Sequence, residues 1–278
     1  MVGNKIRKKI KSNRYTRRMV RRTRRNMKGG GKKNVALLFS GRILSYEHSL
    51  EYIKSIYDNP DFTCAVFCSL NMSKKNKYVN DFCKKFHIKD EQINIESTLV
   101  PDSYGNNPKN KELCHGGESL GSITGGICYT TYSSFYHQNR AFKLMEKYSG
   151  KHKMNFDIVV IFRADMNAEN EPNVFPIMRS IQANTVYIPK KSDGMDDIGD
   201  NGRAIKHASN YYDNGITTLA AYGDFESMKK YCSLVEKNID VFDNPEIMLL
   251  DHLKDMELDI RRFTHDIRLN PERFDNYD

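Results

Sequence analysis

The chain has 278 residues, 39% of them hydrophobic and 11% aromatic, which is enough apolar surface to bury a core and too much for a disordered protein. Its formal charge of +9 is uneven: of 44 Lys and Arg, 15 fall in residues 1–33, which hold no Asp or Glu, so residues 34–278 keep 29 basic side chains against 35 acidic ones. No run of 18 apolar residues and no leader-like stretch occurs, and six cysteines without a CxxC spacing do not form a disulfide framework, so neither secretion nor membrane spanning is supported and a soluble, intracellular protein is expected.

Three glycines, Gly29 to Gly31, close the basic arm as a flexible linker, and the domain boundary is placed there. Val35 to Phe39 is a short apolar run ended by Ser40 and Gly41, as expected of a parallel strand buried on both faces. Tyr46, Leu50, Ile53 and Tyr57 then recur at helical spacing up to Pro60. "FTCAVFCSL" predicts a second strand, "NKYVNDFCKKFHI" a second helix and "INIES" a third strand. Residues 101–127, rich in Gly, Asn, Ser and Pro, are expected to form a surface insertion or lid. Tyr132 to Tyr148 reads as a helix with Phe135, Phe142 and Met145 on one side and Gly150 just past its end. "FDIVVIFRADMN" is the next strand, "VFPIMRSIQ" a helix and "TVYIP" a strand, followed by a glycine-rich, mobile loop over 190–215. "ITTLAAYG" predicts a strand, Asp224 opens a helix, "NPEIMLLDHLKDM" is another, and "LDIRRF" is the last strand before a polar C-terminus. Strands alternating with helices at short spacing give an α/β sheet with right-handed crossovers.

In such sheets ligands bind where the strands end. Two ends carry chemistry: Ser40, Gly41 and Arg42 after the first strand, and Arg163, Asp165 and Asn167 at the end of a strand that otherwise reads as fully buried. Asp165 and Asn167 alternate along an extended segment, so both can reach one hard cation, Mn²⁺ or Mg²⁺, which would bridge them to substrate phosphates. Arg163 and Arg42 can grip phosphate oxygens through forked hydrogen bonds. The plainer reading is that Arg163 and Asp165 cap the strand and pair with each other. There is no GxxxxGK[ST] and no GxGxxG, which removes P-loop enzymes and dinucleotide-binding folds, and the acidic loop 193–202 lacks the ligand order of an EF-hand.

Five segments in order, "VALLFSGR", "SSFYHQNRAFKLMEKYSGKHKMNFDIVVIFRADMN", "VYIPKKSDG", "LAAYGDFESMKKY" and "NPEIMLLDHL", resemble GT-A-type glycosyltransferases of large DNA viruses, of the giant algal and amoebal virus kind, and related bacterial surface-polysaccharide enzymes. The resemblance implies a single GT-A, Rossmann-like α/β domain over 34–278, with a mostly parallel central sheet flanked by helices. A disordered or helical basic arm, residues 1–33, would precede it. It implies a hexosyl- or pentosyltransferase using a nucleotide-sugar donor, UDP-linked, a divalent cation, and a glycan or glycoprotein acceptor. Location would be the host cytoplasm or the virion. Arg163 and Asp165 stand where other GT-A enzymes have Asp-x-Asp, with Asn167 as second metal ligand. Ser40, Gly41 and Arg42 match the segment that lines the nucleotide. The family's Asp-x-x-Ala-x-Gly is matched by Thr218 to Gly223, with a threonine in place of the aspartate and Gly223 as the closing donor-site glycine. The family's His-Pro-Glu becomes Asn244, Pro245 and Glu246.

An inverting transferase needs a carboxylate to take the acceptor's hydroxyl proton, and Glu246 is the leading candidate, with Asp213 and Asp224 as alternatives. Local sequence explains Glu246 equally well: Asn244 caps a helix, Pro245 takes its first position, and an acid in the first turn complements the helix dipole. Asp224 also reads as a helix cap, His252 and His265 lack partners at zinc spacing, and Cys64 and Cys68 share a strand face as core residues. A second function class remains beside the enzyme: the arm binds nucleic acid or an anionic membrane, and the α/β body is its passenger.

Overall fold

The computed structural model describes residues 31–43, 50–98, 126–164, 166–168, 178–190, 220–237, 245–264 and 267–269, with backbone only for 126–131, 166–168, 190, 245–247, 263–264 and 267–269. Its elements, in chain order, begin with β1 (Lys33–Gly41), α1 (Leu50–Tyr57), β2 (Phe62–Asn71), α2 (Lys77–Lys85) and β3 (Ile93–Glu96). They continue with α3 (Gly126–His152), β4 (Ile158–Arg163), β5 (Met166–Ala168), β6 (Thr185–Lys190) and β7 (Ala220–Gly223). The last are α4 (Phe225–Cys232), α5 (Pro245–Asp255), β8 (Asp259–Thr264) and β9 (Ile267–Leu269). The expected acidic loop, residues 101–125 of the lid segment and residues 174–177 of the helix expected at "VFPIMRSIQ" lie outside the described residues; of 178–182 only Met178 is helical, and residues 126 and 127 belong to α3.

Seven strands form one sheet in the order β3-β2-β1-β4-β7-β6-β8. β3, β2, β1 and β4 are parallel neighbours, β6 and β8 are parallel, and only β7 runs against the strands beside it. The carboxyl ends of the other six strands therefore meet at one edge. This is the mostly parallel, helix-flanked α/β sheet that the alternation of strands and helices predicts.

Side chains of a strand alternate between its faces, and the core divides accordingly. Val35, Leu37, Phe39, Val66, Leu70, Val160 and Phe162 pack on one face against Tyr52, Ile53 and Ile56 of α1 and Val79 and Phe82 of α2. Ala36, Leu38, Phe67, Val159 and Ile161 pack on the other against Phe135, Phe142 and Met145 of α3, Met228 and Tyr231 of α4, and Leu249 and Leu253 of α5. Both faces being covered is why the strands read as unbroken apolar runs.

Two helix starts follow their caps: Asn76 accepts from Val79 N at 2.9 Å, and Asp224 accepts from Ser227 N at 2.7 Å. The end of α3 departs from expectation. Gly150 lies inside the helix, which runs to His152, and Lys153 takes the left-handed position with φ of 53°. A helical glycine costs about 1 kcal/mol. Contacts on both sides outweigh it: Tyr148 meets Phe67 edge-on at 5.3 Å, while Lys151 Nζ and His152 Nε2 lie 2.5 and 3.1 Å from Glu91.

Candidate functional site

The parallel register aligns one residue from each of four adjacent strands. Arg163 of β4 lies beside Ser40 of β1, Ser40 beside Ser69 of β2, and Ser69 beside Asn94 of β3. Alternation puts all four on the α3 face, because Leu38, Phe67 and Ile161, two residues earlier, belong to the core beneath α3. The face thus changes from an apolar row to a polar one within a single repeat of the pleat. One repeat further on, Asn71 is paired with Glu96. The result is a polar ledge along the edge where the parallel strands end, the place where α/β sheets bind ligands.

The ends of β1 and β4 are also bonded to each other. Ala164 N donates to Ser40 O at 2.8 Å, and Ser40 Oγ donates to Phe162 O at 3.5 Å. Gly41 has φ of 98°, a conformation that side chains with a Cβ rarely adopt, and among the described residues nothing lies within 4 Å of where its Cβ would be. Glycine is therefore favoured there by backbone geometry. Arg42 and Arg163 are both half-buried beside it.

The ledge continues into a buried network built on α3. His137 is fully buried, and its Nδ1 lies 2.8 Å from Ser69 Oγ and its Nε2 2.6 Å from Thr98 Oγ1. Thr98 Oγ1 is 3.2 Å from Ser133 Oγ, which accepts from Asn71 Nδ2 at 2.8 Å, and Thr98 N donates to Asn71 Oδ1 at 3.2 Å. Burial holds the His137 imidazole neutral, with its pKa pushed down to about 4; the nearby Glu96 charge works against that shift and Arg140 adds to it. Beside the network, Glu96 accepts from Asn94, Tyr136 and Arg140. None of these residues stands out singly in the sequence. The available signal is that Ser133, Tyr136, His137 and Arg140 recur at helical spacing and so share one face of α3.

The remaining sequence candidates divide. Asp165 and Asp213 lie outside the described residues, as do Asn244 and His265. Asn167 does not continue β4: that strand stops at Arg163, and Asn167 sits in β5, which pairs antiparallel with β9 in a separate two-stranded sheet, Asn167 opposite Arg268. Pro245 and Glu246 begin α5 as expected. They lie about 15 Å along the helix axis from its far end, which leads into β8.

The structure does not bring Gly223 to the ledge. β7 is antiparallel to β4, and Gly223 pairs with Val159, four residues and about 13 Å below Arg163. Its requirement is steric: a Cβ there would meet Thr185 O at 2.8 Å and Met228 and Ser227 of α4 at 3.4 Å. It is Ala220, at the start of β7, that lies beside Phe162 near the ledge. Asp224 is likewise a cap at the far edge. His252 is a buried structural histidine whose Nε2 lies 2.8 Å from Lys230 O.

No known protein family and no curated protein matches this chain. Among solved structures it is similar to a nucleoside-diphosphate-sugar pyrophosphorylase from Vibrio cholerae, with TM-score 0.42 and 11% identity over 87% of this chain and 98% of that one. It is also similar to the galactosyltransferase LgtC in complex with donor and acceptor sugar analogs, with TM-score 0.37 and 10% identity over 82% of this chain and 72% of that one. A third is the glycosyltransferase GlyE of Streptococcus pneumoniae, with TM-score 0.36 and 10% identity over 83% of this chain and 46% of that one. Likeness of this degree does not establish a shared activity.

Chemically, the ledge has a cation at one end and a carboxylate at the other, while Ser40, Ser69 and Asn71 between them are buried and held in internal hydrogen bonds. Among the described residues no three His, Cys, Asp or Glu side chains gather as a metal site. No described helix is long and apolar enough to cross a membrane.

Proposed function

We propose that the chain is a metal-assisted glycosyltransferase that moves a hexose or pentose from a nucleotide-sugar donor, UDP-linked, to a glycan or glycoprotein acceptor. The observation that carries this reading is the register Arg163, Ser40, Ser69 and Asn94 at the carboxyl edge of the sheet, with Gly41 opening the backbone beside them. Arg163 and Arg42, half-buried at this edge, supply the positive charge that a diphosphate needs. In this reading Arg163, Arg42 and the backbone around Ser40 and Gly41 hold the diphosphate. Asp165, one residue past Ala164, and Asn167 would hold Mn²⁺ or Mg²⁺, which neutralises the departing nucleoside diphosphate. Glu246, or Asp213 in its place, would accept the acceptor's hydroxyl proton.

The test is release of UDP from a panel of UDP-sugars with Mn²⁺ and mixed glycan acceptors. Asp165→Ala should abolish release, and unaltered turnover by that variant would remove the metal site. A second activity is favoured by the charge of residues 1–33: the arm binds nucleic acid or an anionic membrane, and deleting it should abolish that binding and spare sugar transfer.

A further inference from the structure

The outer side of α2 gathers lysines that have no acidic partners. Val79, Phe82 and Phe86 bury the inner side of the helix. At about 100° per residue, Lys77, Asp81 and Lys84 fall on the opposite side, with Tyr78 and Lys85 flanking them. Lys74 in the turn before the helix and Lys89 beyond its end are exposed as well. None of these five lysines meets a carboxylate among the described residues, and Asp81 is the one acid within residues 73–89. Lys75, the sixth lysine of the segment, reaches Asp90 at 3.0 Å. Elsewhere exposed lysines are commonly matched: Lys143 lies 2.6 Å from Glu236, Lys229 2.9 Å from Glu146, and Lys237 3.2 Å from Asp255. Tyr78 adds an apolar element, for it is 47% exposed and is, among the described residues, the one large hydrophobic side chain open to solvent.

Uncompensated positive charge on a surface attracts anions, and the residue types say which kind. The segment 73–89 holds lysines and no arginine. An arginine fork grips one phosphate in a fixed geometry, whereas an ammonium is a point charge on a flexible stem, suited to a field of many anionic groups. The stem can lie along apolar surface while the ammonium stays in water. A tyrosine among such lysines brings an apolar ring and a polar hydroxyl, the pairing that settles where hydrocarbon meets headgroups. The outer side of a helix also meets a broad surface more readily than it encloses a strand.

We propose that this face of α2 rests on an anionic lipid surface, with Tyr78 entering the headgroup layer and the surrounding lysines facing lipid phosphates and carboxylates. The inference rests on the membrane-binding reading of residues 1–33, because a few lysines hold a protein to such a surface weakly and lasting attachment takes a second signal.

The chain has no tryptophan, so Tyr78→Trp places a single reporter in this face. With vesicles of equal parts phosphatidylcholine and phosphatidylserine, emission of the full-length variant should shift to the blue and be quenched by brominated acyl chains. Lys77→Gln combined with Lys84→Gln should weaken binding to these vesicles about 25-fold, since each lysine near an anionic surface contributes about fivefold. Lys147→Gln combined with Lys153→Gln removes the same charge from exposed positions in and just after α3 and should leave binding nearly unchanged. Binding of duplex DNA should be alike in both pairs of variants. An unshifted emission from bound protein, or an equal loss in the two pairs, overturns the inference and leaves the arm as the sole membrane contact. A matching loss of DNA binding in the Lys77 and Lys84 pair also overturns it, by assigning the face to a polynucleotide. If the natural chain binds no such vesicle, the membrane reading of the arm falls together with the inference.

Discussion

His137 Nε2 lies 2.6 Å from Thr98 Oγ1, joining the middle of α3 to the segment just past β3 at a point that no solvent reaches. The buried imidazole resists protonation down to about pH 4, whereas in the unfolded chain it takes up a proton near 6.5. Between those values the unfolded state binds more protons, so stability falls as the pH drops. The loss from this one group is on the order of 3 kcal/mol between pH 7 and 4. Glu96, whose pKa is depressed, adds to the loss at lower pH, as its carboxylate becomes protonated. Urea unfolding at pH 7 and pH 4.5 should show this slope in the natural chain and a much shallower one in His137→Gln, although that variant starts from a lower stability.

Gly223→Ala should destabilise the fold without altering ligand affinity. The added Cβ meets the Thr185 carbonyl at 2.8 Å, and that atom belongs to the backbone of the neighbouring strand β6, which cannot swing away. Overpacking of this kind costs about 1–3 kcal/mol. Thermal unfolding should show a clearly lowered Tm while UDP affinity stays at its original value. A large affinity loss with an unchanged Tm would mean that position 223 lines the donor site after all.

The contrast between these residues shows what the sequence disclosed. The strands β1, β2 and β4 were legible because burial on both faces leaves unbroken apolar runs, and the sequence singles out Ser40, Gly41 and Arg163 because each run ends abruptly there. Ser69, Asn94 and His137 were not found, since each looks ordinary and only the sheet register brings them together. β9 was missed for a related reason: three residues paired with a segment some hundred positions earlier carry no periodicity. Gly223 was assigned by resemblance, and its position toward the other edge follows from β7 being antiparallel, which the sequence does not reveal.

Asp224→Ala separates a cap from a catalytic base. Its carboxylate accepts from Ser227 N at 2.7 Å at the start of α4, beyond Gly223 and away from the ledge. Losing such a cap costs about 1 kcal/mol. The variant should melt a few degrees lower and retain full kcat. A loss of turnover of a hundredfold or so, the scale of a missing general base, would place Asp224 in the chemistry.

Removing residues 1–32 should leave the Tm of the remaining chain unchanged and abolish its binding to heparin or duplex DNA. In the intact protein that binding should weaken steeply with salt, because the 14 basic residues of that segment release condensed counterions on contact with a polyanion. Persistent salt-sensitive binding by the truncated chain would shift attention to its own surface lysines.

Arg163 gives the sharpest test of the ledge itself. It stands beside Ser40, on the face where polar side chains succeed the core, and it is half-buried. If it grips the diphosphate as charge develops on the leaving group, Arg163→Ala should lower kcat/KM for the donor by about a hundredfold or more, the usual loss of a positioned donor at a developing anion. Arg163→Lys should recover only part of that, because an ammonium restores the charge and not the fork that engages two oxygens. A lysine variant as poor as alanine would point to geometry as the whole contribution, and one as good as arginine to charge alone. Alanine with unaltered kinetics would mean that the diphosphate does not lie at the end of β4.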